Sequence, residues 1–127
     1  MKVLSAFELP IAGTPEGWVL PPTYFEELDL AVKKQAQSIV ERALEQLRKK
    51  QNGTITVDGQ LLPGPPRAVI LEEAERWGAD LIVLGSHGYS RWERLLSGSV
   101  SQSVVSHAKC SVEVVRCTNA DQVEKAA

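Results

Sequence analysis

Three glycines and a following serine in the second half of the chain have the spacing of a loop that holds phosphate groups. Gly85, Gly88 and Gly98 follow one another as Gly-x2-Gly-x9-Gly, and Ser99 comes directly after the last of them. A glycine lets its backbone N–H group approach a phosphate closely and can adopt a positive φ. A helix that begins here adds unpaired N–H donors and the positive end of its dipole. The segment therefore predicts a phosphate-binding loop, although two glycines alone would indicate only a turn.

The residues of a fast phosphoryl-transfer enzyme are missing from this loop. P-loop enzymes use GxxxxGK[ST], whose lysine reaches the β- and γ-phosphates. No lysine lies between Gly85 and Val100, and no acid/base pair is evident elsewhere. We therefore predict no catalytic residues and phosphate or nucleotide binding without fast chemistry, while slow hydrolysis of the bound ligand stays open.

Two arginines and a histidine-cysteine pair are the other residues with ligand chemistry. Arg91 and Arg94 offer planar bidentate donors for a phosphate, or for Glu93 or a loop carbonyl. His107 and Cys110 are spaced as H-x2-C, but structural zinc is normally held by about four ligands. No metal site is predicted.

Alternating strands and helices are predicted to position the loop. The elements run in the order strand Lys2–Leu9, loop Pro10–Pro22, a long amphipathic helix ending at Asn52-Gly53, strand Thr54–Leu61, helix Arg67–Gly78, strand Leu81–Leu84, the glycine loop, helix Ser99–Ala108 and strand Val112–Val115. This order implies parallel strands joined by right-handed crossovers, hence an open, doubly wound, Rossmann-like three-layer α/β/α sandwich. Ligands bind beyond the carboxyl ends of such strands, where Gly85 lies.

Local patterns add details to this framework. Thr23 and Glu26 have the spacing of a capping box at the start of the long helix. In the next helix, Trp77 is expected to be buried and Glu73 to be exposed. The continuous apolar run Leu81–Leu84 is typical of a strand covered on both faces of a parallel sheet. We expect one domain, residues 1–117, and a polar tail, residues 118–127.

The composition excludes several classes of partner. Fourteen basic and sixteen acidic residues give a net charge of −2, without a basic patch for nucleic acid. No stretch approaches the roughly 20 apolar residues that span a membrane, and no secretory signal opens the chain. We therefore expect a cytoplasmic protein. If the run between Cys110 and Cys117 is a strand, their Cα atoms lie more than about 20 Å apart, too far for a disulfide.

Three stretches of sequence closely resemble the universal stress protein family. They are ADLIVLGSHG (Ala79–Gly88), RLLSGSVS (Arg94–Ser101) and AKCSV (Ala108–Val112). The nucleotide signature of that family, G-x2-G-x9-G-[S/T], is met here at every required position. The resemblance is strong over Gly64–Val115 and extends to Lys2–Leu62 by the order of elements.

This resemblance implies a fold of the adenine nucleotide alpha hydrolase type and a regulatory role in the stress response. It also implies ATP as the ligand, with or without Mg²⁺, and a homodimer formed through the edge strand Val112–Val115. Residue by residue, the phosphates and ribose would be held by Gly85, Gly88, Gly98, Ser99 and Val100. Arg94 matches a basic position of the family, Leu84 would touch the nucleoside, and Ala6 matches a position in the adenine pocket.

The start of the chain departs from the family pattern. Members of the family begin with a central strand that ends in an Asp-Gly-Ser-like turn, whereas Met1 opens on what resembles the second strand. The carboxylate expected near the base or ribose is therefore missing. Without a central strand, each backbone group left buried and unpaired costs about 1–3 kcal/mol.

Three explanations are open for this departure. The true start lies upstream, a neighbouring chain or segment fills the gap, or the remaining strands close up. We favour the first, which the intact mass of protein made from its native gene tests. The missing carboxylate also supports an alternative function, a module of the same fold that binds no nucleotide and acts by dimerisation or partner binding.

Overall fold

The computed structural model of the chain describes residues 1–8, 22–85 and 99–116. Strands and helices alternate within these ranges in the predicted order: β1 (Lys2–Phe7), α1 (Pro22–Gln51), β2 (Asp58–Pro63), α2 (Pro66–Trp77), β3 (Leu81–Gly85), α3 (Ser99–His107) and β4 (Ser111–Val115). β1 pairs with β2 and β3 with β4, both in parallel. The α/β class with parallel strands is thereby confirmed. The chain divides into two compact units, Met1–Val69 and Ile70–Ala127.

In the first unit, α1 packs against the two-stranded sheet of β1 and β2. The closest approach is at Gly59, where an added Cβ would lie 2.6 Å from side-chain carbons of Val40 and Leu44. A larger residue at this position would require the side chains of Val40 and Leu44 to move. Ala36 and Val40, each 7% exposed, form the centre of the helix face that packs on the sheet.

Both ends of α1 carry local signals, of which one was predicted wrongly. The helix begins at Pro22, so Thr23 lies inside its first turn and the capping box with Glu26 is wrong. Proline suits the first helical position because the N–H group that it lacks would have no partner there. The predicted stop is confirmed, since Asn52 and Gly53 adopt φ values of 49° and 76°.

β2 begins later than the predicted strand Thr54–Leu61, at Asp58. Thr54 belongs to the turn that follows α1 and not to the strand. Its N–H group and its hydroxyl both donate to the carbonyl of Gln51, at 3.1 and 2.7 Å. The chain reaches β1 only afterwards, where the N–H group of Asp58 donates to the carbonyl of Met1 at 3.0 Å. The predicted strand was therefore too long at its start, because the alternation of apolar residues continues through the segment that precedes Asp58.

In the second unit, α3 packs against β4, and β4 pairs with β3 from Leu81 opposite Ser111 to Gly85 opposite Val115. Val104 of α3 is 0% exposed. The predicted end of α2 at Gly78 is confirmed, because this glycine follows the last helical residue and adopts a left-handed conformation with a φ of 70°. None of the helices in the described ranges is both long enough and apolar enough to span a membrane.

The exposed and buried faces of α2 and β3 differ from the prediction. Glu73 is buried at 5% exposure, and Trp77, the last residue of α2, is 49% exposed. Arg76 donates two hydrogen bonds of 2.6 and 2.7 Å to the Glu73 carboxylate, and this bidentate pairing allows the carboxylate to be buried. The same hydrogen bonds raise the pKa of Arg76 above its ordinary value.

β3 is covered less completely than its apolar sequence predicts. Ile82 is 8% exposed, but Leu81 and Val83, on the other side of the strand, are 49% and 57% exposed. A continuous run of apolar residues indicates that a strand is buried, but it does not show whether one or both faces of the strand are covered. The expectation of cover on both faces is therefore wrong for Leu81 and Val83.

Candidate functional site

The carboxyl end of β3 is the first part of the candidate site. Leu84 and Gly85 are the last two residues of this strand and lie opposite Val114 and Val115 of β4. Leu84 is half-buried and Gly85 is exposed. The predicted strand end at Gly85 is confirmed, and it lies at the edge of a parallel sheet where α/β proteins bind ligands.

The amino end of α3 is the second part. Ser99 and Val100 are the first two residues of this nine-residue helix. Only residues 108–110 join α3 to the start of β4, against which it packs, so the helix runs back antiparallel to the strand. Its amino end therefore faces the same edge of the sheet as Gly85.

The first turn of α3 is suited to an anion. It contains no acidic residue, so none of its own side chains opposes a negative ligand at the positive end of the helix dipole. The first N–H groups of a helix have no partner within it. An exposed Ser99 at this position adds a hydroxyl donor. Backbone and hydroxyl donors together can hold phosphate oxygens.

The remainder of α3 fixes this end in place. Val104 and Ser101 lie on the buried side of the helix, at 0% and 9% exposure. At the other end of the helix, Nδ1 of the His107 ring lies 2.8 Å from the carbonyl of Ser103, one turn earlier. The ring therefore contacts a backbone carbonyl in the last turn of α3. No group of three or more His, Cys, Asp or Glu side chains that could hold a metal occurs in the described ranges.

Five of the eight predicted site residues are among the described residues. Leu84, Gly85, Ser99 and Val100 lie in the second unit. Ala6 lies in the first unit, where it is the penultimate residue of β1, half-buried and opposite Leu62. The other three, Gly88, Arg94 and Gly98, lie outside the described residues, as does Arg91.

A separate cavity of about 280 Å³ lies near the start of β4. Lys109 Nζ bridges to Glu75 Oε2 across 2.9 Å at its rim, and the free thiol of Cys110 is half-buried in its wall. Sequence reasoning missed this pair because its members are 34 residues apart. The cavity is at the amino end of β4, away from the edge formed by Gly85 and Ser99.

Parallel strands, crossover helices and a helix start that faces a glycine-ended strand define a Rossmann-like α/β protein. The profile of the universal stress protein family matches residues 3–116. The chain therefore belongs to the universal stress protein family, which confirms the resemblance found in its sequence.

Relatives of known sequence support this assignment. Universal stress protein A homolog 2 of Coxiella burnetii is 43% identical over 79 residues, which are 58% of this chain and 53% of that protein. Universal stress protein YxiE of Bacillus subtilis is 35% identical over 99 residues, 76% of this chain and 64% of that protein. The match thus spans 53% and 64% of the length of these two relatives, which is less than two thirds of either.

Solved structures show the same fold. Universal stress protein UspA from Lactobacillus plantarum superimposes with a TM-score of 0.67 at 23% identity, covering 91% of this chain and 76% of that one. Hypothetical protein MJ0577 superimposes with a TM-score of 0.65 at 24% identity, covering 93% of this chain and 76% of that one. At these identities the likeness concerns the fold alone.

Proposed function

We propose that this chain binds ATP at the edge formed by β3 and α3, and acts as a regulatory protein of the stress response without fast catalysis. The observation that carries the proposal is the acid-free first turn of α3, which faces the carboxyl edge of the sheet beside Gly85. This turn begins at the serine that completes the G-x2-G-x9-G-S signature of the family.

Each predicted residue has a distinct role in this proposal. The N–H groups of Ser99 and Val100 donate to the phosphates, and the glycines of the signature allow the backbone to approach them. Arg94 adds a charged donor, while Leu84 contacts the nucleoside. Mg²⁺ that accompanies ATP would be held by phosphate oxygens and water, as is usual for this ion.

ATP regulates such a protein by binding two of its states with different affinity. A ligand shifts an equilibrium only as far as its affinities for the two states differ. We propose that the states differ in dimerisation or in contact with a partner protein. The fraction of protein with bound ATP, and hence its contact with the partner, then depends on the concentration of ATP.

Mass spectrometry of gently purified protein tests the proposal, together with thermal unfolding in millimolar ATP. We expect an adenine nucleotide to be retained and the melting temperature to rise, since a ligand that binds only the folded state stabilises it. If no nucleotide is retained and ATP leaves the melting temperature unchanged, the proposal fails.

The alternative is a module that binds no nucleotide and acts by dimerisation or partner binding. It is favoured by the outer edge of β4, where Val114 and Val115 are 39% and 43% exposed. An exposed apolar edge strand is able to pair with a strand of another chain. The ATP experiment separates the two functions, because the alternative predicts no thermal shift.

A lysine at Val114 is expected to disrupt a homodimer formed through β4. A charge at the centre of a strand-to-strand interface is costly to bury without a partner, so we expect the mass in sedimentation equilibrium to fall from dimer to monomer. Val105→Lys is the control, because Val105 is 54% exposed on α3. An interface elsewhere is indicated if Val114→Lys remains dimeric, and a monomeric parent protein would contradict the dimer itself.

A further inference from the structure

The solvent side of helix α1 carries exposed residues at a regular spacing. Thr23, Leu30 and Gln37 follow one another at intervals of seven residues, and all three are exposed. Residues seven apart lie on the same side of a helix, two turns from each other. At 66%, Leu30 is the most exposed large apolar side chain in the described ranges. An apolar residue thus lies at the centre of a line that faces water.

Charged residues flank Leu30, and their sign changes along the helix. Glu26 and Glu27 precede Leu30 by four and three residues, whereas Lys33 and Lys34 follow it by three and four. Residues three and four apart are neighbours on a helix surface, so Leu30 lies between two carboxylates and two ammonium groups. All four charged residues are exposed. We call the residues of this surface the outer stripe: Thr23, Glu26, Glu27, Leu30, Lys33, Lys34 and Gln37.

The outer stripe takes little part in the packing of the first unit. The face of α1 that packs on the sheet is centred on Ala36 and Val40, each 7% exposed. Lys33 lies at the border of the two faces, where its ammonium donates to Asp29 Oδ2 at 2.7 Å and its side chain stays 47% exposed. The other three charged residues of the stripe form no ion pair within the described ranges. They are therefore available to a second molecule.

The charges of the outer stripe are complementary to themselves when two copies of the helix run in opposite directions. With Leu30 of one copy opposite Leu30 of the other, Glu26 lies opposite Lys34 and Glu27 opposite Lys33. A two-fold axis repeats both pairs, so all the charges of the stripe face charges of opposite sign. In a parallel pair each charge would instead face its own copy and repel it. The order of the charges therefore selects an antiparallel pair of identical helices.

We propose that the outer stripe is a self-association surface, on which α1 of a second copy of the chain docks antiparallel with Leu30 against Leu30. The two helices overlap over residues 22–38, about 25 Å. A contact of this length is smaller than a stable interface, which buries about 1,200–2,000 Å², so the association is weak and reversible. The surface lies in the first unit and depends neither on bound ATP nor on the edge of β4.

Leu30→Glu tests the centre of the surface, with sedimentation equilibrium at protein concentrations up to the upper micromolar range. The substitution removes the apolar contact and places two carboxylates opposite each other, so we expect the association constant to fall at least about tenfold. Gln35→Glu is the control, because it adds the same charge at an exposed position on the other side of α1. It should leave the association constant unchanged.

Reversal of single charges tests the antiparallel orientation. Glu26→Lys and Lys34→Glu each put like charges opposite one another at two places in the dimer, and each is expected to weaken self-association. An equimolar mixture of the two variants should associate more strongly than either alone, because the two positive charges of one variant then face the two negative charges of the other. The variant that carries both substitutions should associate like the unaltered protein.

Three results would overturn the inference. The first is an unaltered protein that stays monomeric throughout this range of concentrations. The second is an equal association constant for the unaltered protein and Leu30→Glu, which is also the result expected if the chain associates only through β4. The third is a mixture of Glu26→Lys and Lys34→Glu that associates no better than its components, because the charges would then not face each other.

Discussion

Replacing Ser99 by aspartate is expected to lower the affinity for ATP about 10- to 100-fold, because it puts a negative charge where the phosphates bind. Two like charges 4 Å apart repel by about 1 kcal/mol in water and by about 4 kcal/mol near a protein surface, and about 1.4 kcal/mol corresponds to a factor of ten in affinity. Ser99 is the first residue of α3 and is exposed. Calorimetric titration with ATP measures the loss.

The same substitution should not weaken the fold, which makes its effect on ATP easy to interpret. A carboxylate at the amino end of a helix is stabilising by about 0.3–1 kcal/mol, so the melting temperature without ligand should stay constant or rise slightly. Ser106→Asp makes the same change of charge in the last turn of α3, at an exposed position. Equal ATP affinity of the two variants would show that Ser99 is not at the phosphate site.

Shortening Val104 to alanine is expected to lower the free energy of unfolding by about 2 kcal/mol, through lost burial and the cavity left behind. Val104 is 0% exposed, whereas its neighbour Val105 is 54% exposed. Val105→Ala is therefore the matched control and should cost less than about 0.5 kcal/mol. Urea unfolding followed by circular dichroism compares the two. A similar loss in both variants would contradict the packing of α3 through its Val104 face.

Local signals in the sequence were sufficient for the order of the elements and for part of the site. The apolar run before Gly85 ends in a strand, and Ser99 begins a helix, because these features depend on periodicity, glycine and helix-start chemistry within a few residues. The glycine spacing connects the two in sequence. Consequently the edge formed by β3 and α3 could be predicted from local sequence patterns.

Features that depend on the completed fold were missed. The exposure of Glu73 was predicted from its charge alone, although its spacing to Arg76 is that of a helical pair. The turn at Thr54 depends on hydrogen bonds from this residue to the carbonyl of Gln51. These hydrogen bonds compete with the pairing of Thr54 in a strand. The pair Glu75 and Lys109 brings together residues far apart in sequence, for which periodicity gives no signal.

The start of α1 shows a further limit of sequence reasoning. The helical spacing of its apolar residues predicts an amphipathic helix, but how much of the apolar face is covered depends on where the strands end relative to the helix. Phe25 is 43% exposed, although Ala36 and Val40, further along the same face, are each 7% exposed.

Amide chemical shifts during a titration with ATP test the central claim, nucleotide binding at the edge of β3 and α3, most directly. We expect the signals of Gly85, Ser99 and Val100 to move saturably, since their N–H groups lie at the proposed phosphate site. The signals of Asn52 and Gly53, in the turn after α1, should stay in place. Unmoved signals of Gly85, Ser99 and Val100 at millimolar ATP would contradict the account.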